Sequence, residues 1–99
     1  MIVARPKDWD LLEESLRLDA DSSAFDAALR WRIREALDAL EVGTTHQGRK
    51  VVVRAKSKDW ELLDETLRVD AQSSRLPKHD REDLQAAIKR LVVKPWPNK

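Results

Sequence analysis

Few residues in this chain offer chemistry. His46 and His79 are its only histidines, and histidine is the side chain that titrates near neutrality. One falls in a loop-like stretch and the other near a helix start. Without cysteine and without a His-x-x-x-His spacing they form no metal-ligand set, and both are read as solvated surface. Asp8 and Asp59 sit in a repeated Lys-Asp-Trp triplet. No nucleophile or base accompanies them at equivalent places, so they are read as first-turn residues favoured by the helix dipole rather than as catalytic acids. Arg30, Arg32 and Arg34 alternate around Trp31. On a helix that spacing spreads them over different faces, which suits a solvated surface. A Gly-rich phosphate loop and a Ser-His-Asp spacing are both missing. These residues predict no enzyme, no catalytic residue, no cofactor and no metal site.

The elements that position them come from a chain of 99 residues, a length that suits one compact domain. Hydrophobic residues make up 41% and charged residues 37%, with a net charge of +1. Mixed signs with that apolar content are unlike a disordered polyelectrolyte. Residues 1–42 carry six Lys+Arg against ten Asp+Glu, and residues 43–99 carry thirteen against eight, so the halves stand at −4 and +5. No apolar run approaches the ~20 residues of a membrane span. The opening Met1-Ile2-Val3-Ala4-Arg5-Pro6 has no apolar signal-peptide core. Absent cysteine is in keeping with a reducing compartment, so the expected location is the cytoplasm, away from membranes.

A repeat dominates the chain. Shifting it by 51 residues aligns 1–42 with 52–93 without a gap. The densest stretch is 7–23 against 58–74, with identities at Lys7, Asp8, Trp9, Leu11, Leu12, Glu14, Leu16, Arg17, Asp19, Ala20, Ser22 and Ser23. Two copies are too few for a solenoid, which needs about three. A pair suggests a homodimer written into one chain, a pseudo-two-fold unit. The organisation predicted is a first repeat at 1–42, a linker at 43–51, a second repeat at 52–93 and a tail at 94–99.

Each copy opens with a β-rich run, Met1–Arg5 and Lys50–Lys56. In the second, Val51, Val53 and Ala55 share one face while Lys50, Val52, Arg54 and Lys56 share the other. Pro6 suits a first helical position and Ser57 a cap. A helix follows to about Leu18 and Val69, with Trp9, Leu12 and Leu16 on one stripe; Trp9 and Trp60 are the expected core anchors. Ser23, with Asp26 three residues on, resembles a capping box for a second helix. Its apolar stripe is Phe25, Leu29, Ile33, Ala36, Leu37 and Leu40, and in the second copy Leu76, Leu84, Ala87, Ile88 and Leu91. The fold class expected is α+β and mostly helical: two tandem β-α-α repeats forming a pseudo-two-fold unit with a short antiparallel β-ribbon.

Strand, helix of about 12 residues, Ser-capped break and longer helix is an order that resembles the ribbon-helix-helix family of Arc- and MetJ-type repressors. The residues carrying the resemblance are Arg5-Pro6 before Lys7-Asp8-Trp9, Ser22-Ser23, and the Phe25/Leu29/Ile33/Leu37 stripe. In the second copy they are Lys56-Ser57, Ser73-Ser74 and Leu76/Leu84/Ile88. The resemblance implies an antiparallel strand pair that enters the DNA major groove, with the helices behind it. It implies base contacts from the outward strand residues Arg5, Arg54 and Lys56, and phosphate contacts near Ser22, Ser23, Ser73 and Ser74. Double-stranded DNA is then the expected partner. The chain departs from the family pattern at Ala4, which occupies the usual outward strand position, and at Asp21, beside an expected phosphate site.

The function expected is a small DNA-binding transcriptional regulator or accessory protein acting as a single-chain pseudo-dimer. The alternative is a protein-interaction module, such as an adaptor, immunity or inhibitor protein, with Trp31 or Trp96 as an anchor. A homodimer is a further expectation, and charge on Arg54 and Lys56 would equally serve to protect an edge strand.

Overall fold

The computed structural model describes residues 1–45 and 48–94. They form β1 (Ile2–Ala4), α1 (Pro6–Ala20), α2 (Ala27–Asp38), β2 (Glu41–Thr44), β3 (Val51–Arg54), α3 (Ser57–Asp70), α4 (Lys78–Arg90) and β4 (Val92–Val93). The class is α+β and mostly helical, with a small antiparallel sheet.

Alternation builds the sheet. Ile2, Ala4, Val51 and Val53 are buried at 0–6% exposure, while Val3 and Val52 between them stay half-exposed. Successive strand residues point to opposite faces, so one side of the sheet carries the core and the other is left uncovered. β1 and β3 pair antiparallel, with Ile2 opposite Val53 and Val3 opposite Val52. That is the ribbon the two β-rich runs predict.

The ribbon does not stand alone. β2 lies along the outer edge of β3 and β4 along that of β1, giving the order β2-β3-β1-β4. Each half is therefore β-α-α-β rather than β-α-α. The stretch expected to serve as linker, 43–51, begins with the last two residues of β2 and ends with the first of β3. Beyond β2, Gly48 adopts φ +67°, a left-handed conformation that suits glycine.

A numerical relation links five of the nine strand pairs. Adding 51 to a first-half number and subtracting 51 from its second-half partner turns Ile2–Val93 into Val53–Val42, and Val3–Val92 into Arg54–Glu41. All four pairs are present. The pair Ile2–Val53 turns into itself.

The helices cover the inner face. Trp9, Leu12 and Leu16 of α1, Ile33 and Leu37 of α2, Trp60, Leu63 and Leu67 of α3, and Leu84 of α4 close over the four strand residues, all at 7% exposure or less. Burying one such side chain contributes roughly 1.5–3 kcal/mol before the entropy of ordering it is counted. α1 begins with Pro6 after extended Arg5, where a missing N–H costs nothing. Its counterpart α3 already includes Ser57, so Lys56 rather than Ser57 occupies the capping position, with no side-chain cap.

Both second helices start later than the serines suggest. α2 is capped by Asp26, whose carboxylate accepts from the Leu29 amide at 2.8 Å. Ser22 instead closes a tight turn, with its Oγ accepting from the Ala24 amide at 3.2 Å. Ser73 does the same for Arg75, and α4 begins only after Pro77. An aspartate at the cap wins because its charged oxygen makes the stronger bond to the free amides.

Candidate functional site

Two places gather polar residues: the uncovered sheet face and a pocket where α1 and α3 end.

On the sheet face, Val3, Val52 and Val92 form an apolar centre, with Gly43 completing the row. Charge stands at its ends. Lys50 and Arg54 are exposed on either side of Val52, and Arg54 lies opposite Glu41. Arg5 is exposed, with its Nε 3.6 Å from an Asp8 oxygen. Lys56 is exposed at the start of α3. Lys94 continues the edge, its amide donating to the Met1 carbonyl at 2.8 Å. The described segments that make the sheet and its turns, 1–5, 41–45, 48–56 and 92–94, hold six Lys+Arg against one Glu, or +5. The helices and their breaks, 6–40 and 57–91, hold twelve against seventeen, or −5.

The pocket encloses about 250 Å³ and is lined by Ser15, Leu18, Asp19, Ser22, Asp70, Ser73, Arg75 and Leu76. Asp19 and Asp70 are repeat counterparts that meet here, 9% and 4% exposed. Ser15 donates to Asp70 Oδ2 at 3.0 Å. Its counterpart Thr66 turns away and donates to the Leu62 carbonyl at 2.8 Å. Asp70 therefore receives a hydroxyl and Asp19 does not, and Asp19 Oδ2 is buried without a donor. Burial pushes the Asp19 carboxyl up to about 9; the hydrogen bond to Asp70 and that residue's charge push the same way, while Arg75 opposes them. Asp19 is thus held in its protonated form at neutral pH.

The residues the sequence singles out fall in separate places. Arg5, Arg54 and Lys56 belong to the sheet side. Ser22 and Ser73 come together in the pocket, while Ser23 and Ser74 are exposed beside it. Arg5 and Ser22 stand at opposite ends of α1, whose fifteen residues span roughly 22 Å. Trp9 and Trp60 are core residues at 2% and 7% exposure, and Trp31 is 58% exposed. His46 and Trp96 lie outside the described residues. His79 sits one turn from Asp83 with a 3.3 Å contact. With Asp80 these two bring ligand atoms within 4.8 Å of one another, all on open surface.

Asp8 has a second partner that the repeat conceals. Arg90 donates to both its oxygens, at 2.9 and 2.8 Å, and that bond is the main reason the Asp8 carboxyl lies below its usual range. The counterpart of Arg90 in the first copy is Ala39, so this clamp occurs once and the repeat gives no hint of it. The Asp19–Asp70 pair did leave a signal: identical acids at the 51-residue offset, in a chain whose strands pair counterpart to counterpart.

Compared with known proteins, the chain matches no family model, no curated protein and no solved structure. Among the described residues, no helix is long and apolar enough to cross a membrane.

Proposed function

We propose that this chain is a small DNA-binding regulator or accessory protein, and that its two halves act as a single-chain pseudo-dimer. The observation that carries the proposal is the segregation of charge by layer. In a chain of net charge +1, the described sheet segments carry +5 and the helical ones −5. A basic face on a near-neutral protein is the electrostatic footprint of a nucleic-acid binder. The register supports the pseudo-dimer, because exchanging counterpart positions turns Ile2–Val53 into itself, Ile2–Val93 into Val42–Val53 and Val3–Val92 into Glu41–Arg54, as a two-fold arrangement would.

The flanking strands shape the contact. Four strands put about 14 Å between the outer backbones, while the major groove is about 12 Å wide. The sheet would therefore straddle the groove instead of entering it as a two-stranded ribbon. Arg49, Lys50, Arg54, Lys56 and Lys94 would meet phosphates, and base reading would be limited because valine and glycine fill the centre.

One observation favours a second reading. Val42, Val92 and Val93 on the two edge strands are 49–55% exposed. Open apolar edges suit a partner protein that adds a strand.

Salt separates the readings. A labelled mixed-sequence duplex is titrated with the protein and followed by fluorescence anisotropy at 50 and 200 mM salt. Five phosphate contacts predict an affinity loss of roughly 10²–10³-fold between those conditions. Arg54→Ala/Lys56→Ala should weaken binding and flatten the salt slope by about two, with helical circular dichroism unchanged. Absence of binding at 50 mM salt, or the same affinity in the double variant, refutes the DNA reading and leaves the partner protein.

A further inference from the structure

The helices α2 and α4 occupy equivalent places in the repeat, yet their outer faces differ. Inward the pattern is kept: Ile33 and its counterpart Leu84 are both buried, as are Ala36 and Ala87. Outward it is not. Ala27, Ala28 and Trp31 are exposed on α2 where α4 exposes Lys78, His79 and Glu82. One copy of the module thus shows a solvated face, and the other carries apolar residues in its place. Trp31 is 58% exposed, and tryptophan is among the side chains most enriched at the centres of protein interfaces.

The charges diverge as well. On α4, His79 meets Asp83 at 3.3 Å, and Arg90 is tied to Asp8. The matching places on α2 hold Ala28, Arg32 and Ala39, and Glu35 stands where α4 has Ala86. Arg32 and Glu35 are both exposed, and neither has an ion-pair partner among the described residues.

Ala28, Arg32, Glu35 and Ala39 recur at spacings of four, three and four, so they form one exposed stripe along α2 and the residue that closes it. Reversed end to end, the stripe matches itself. An antiparallel second α2 sets Ala28 against Ala39 and Arg32 against Glu35, and each pairing occurs twice. Alanines at both ends let the two helices approach closely. Trp31 lies beside the stripe and would close over the partner copy's end of it. The equivalent α4 stripe lacks this property. Reversed on itself it sets His79 against Arg90 and Asp83 against Ala86, with no pair of opposite charges.

We infer that α2 is the interface of a homodimer, two copies of this chain packed antiparallel about a two-fold axis midway between Arg32 and Glu35. The contact is isologous, so the same patch serves both copies and the assembly closes at two. It uses no residue of the sheet face, and so stands whether or not the chain binds DNA.

Analytical ultracentrifugation of the full chain, without nucleic acid, tests this. A contact of one helix pair lies at the weak end of interface sizes, so the range is about 1 to 500 µM. The expected result is a monomer–dimer equilibrium. Glu35→Arg sets like charges together twice and should raise Kd by about tenfold or more, as should Arg32→Glu. Arg32→Glu/Glu35→Arg restores opposite charges and should return Kd to within about threefold of the parent. Trp31→Ala should weaken the dimer by about tenfold or more, and Glu82→Ala on α4 should leave it unchanged. Circular dichroism checks the fold of each variant.

The register is tested by Ala28→Cys/Ala39→Cys. The chain has no cysteine of its own. Within one helix these positions stand roughly 16 Å apart, too far for a disulfide. Mild oxidation should therefore link two copies of the double variant and neither single variant. Should a charge variant fail to fold, the cysteine pair still decides. A monomer throughout the range overturns the inference. So does growth beyond a dimer, an undiminished dimer in Trp31→Ala or Glu35→Arg, or absence of the cross-link.

Discussion

Replacing Asp19 with asparagine should make the protein more stable, and the gain should grow with pH. The folded carboxyl titrates near 9 and the ordinary value is 3.8. Because the folded value is raised, the native state holds a proton that the unfolded chain releases between those limits. Stability is therefore greatest below about pH 4 and falls as pH rises toward 9. At pH 7 the displacement is about three pH units, each equivalent to 1.36 kcal/mol, so the full cost is at most about 4 kcal/mol. Solvent at the pocket mouth and the hydrogen bond to Asp70 recover part of it, and about half, ~2 kcal/mol, is the expected gain in Asp19→Asn at neutral pH. Asparagine keeps the volume and supplies an N–H to Asp70 at every pH. The assay is urea unfolding of both proteins at pH 4, 6, 7 and 8. Curves that coincide at pH 4 and separate progressively above it support the reasoning. Parallel pH profiles, or a variant less stable at pH 7, refute it.

Other perturbations probe the frame around this pair. Leu16 and Leu67 are counterparts, both at 0% exposure, and each changed to alanine should cost about 3 kcal/mol in urea unfolding; a difference of more than about twofold would show that the two halves pack unequally. Arg90→Ala removes both hydrogen bonds to Asp8. Since the Asp8 carboxyl is held low, its contribution is present above about pH 4 and vanishes as pH falls further. The variant should therefore be less stable at pH 7 and equal to the parent in strong acid, as read from pH-dependent unfolding curves.

What the sequence made legible follows periodicity. The inward set Ile2, Ala4, Val51 and Val53 was readable because each run alternates, and the helical stripes because leucines recur at three and four. β2 and β4 were not readable. Glu41-Val42-Gly43-Thr44 is exposed throughout and contains glycine, and Val92-Val93 is two residues long. Edge strands owe their form to a neighbour's hydrogen bonds, which leave no pattern in their own side chains. Ser22-Ser23 looked like a cap because serine suits that position, yet Asp26 four residues past Ser22 takes it. The Asp19–Asp70 pair escaped because each acid alone resembles an ordinary residue at a helix end. Its meaning arises only when both helices are in place.

The position of β1 has a consequence for how quickly the chain finds its fold. Ile2 pairs with Val53 on one side and with Val93 on the other, 51 and 91 residues along the chain. Both hydrogen-bonding edges of this central strand thus wait for distant partners, whereas the helices form from local contacts. Each closure costs chain entropy before any sheet contact offsets it, and topologies rich in such remote pairings fold slowly for their size. The helices should gather first. The sheet, and with it the basic face, is completed only when the end of the chain returns to its beginning.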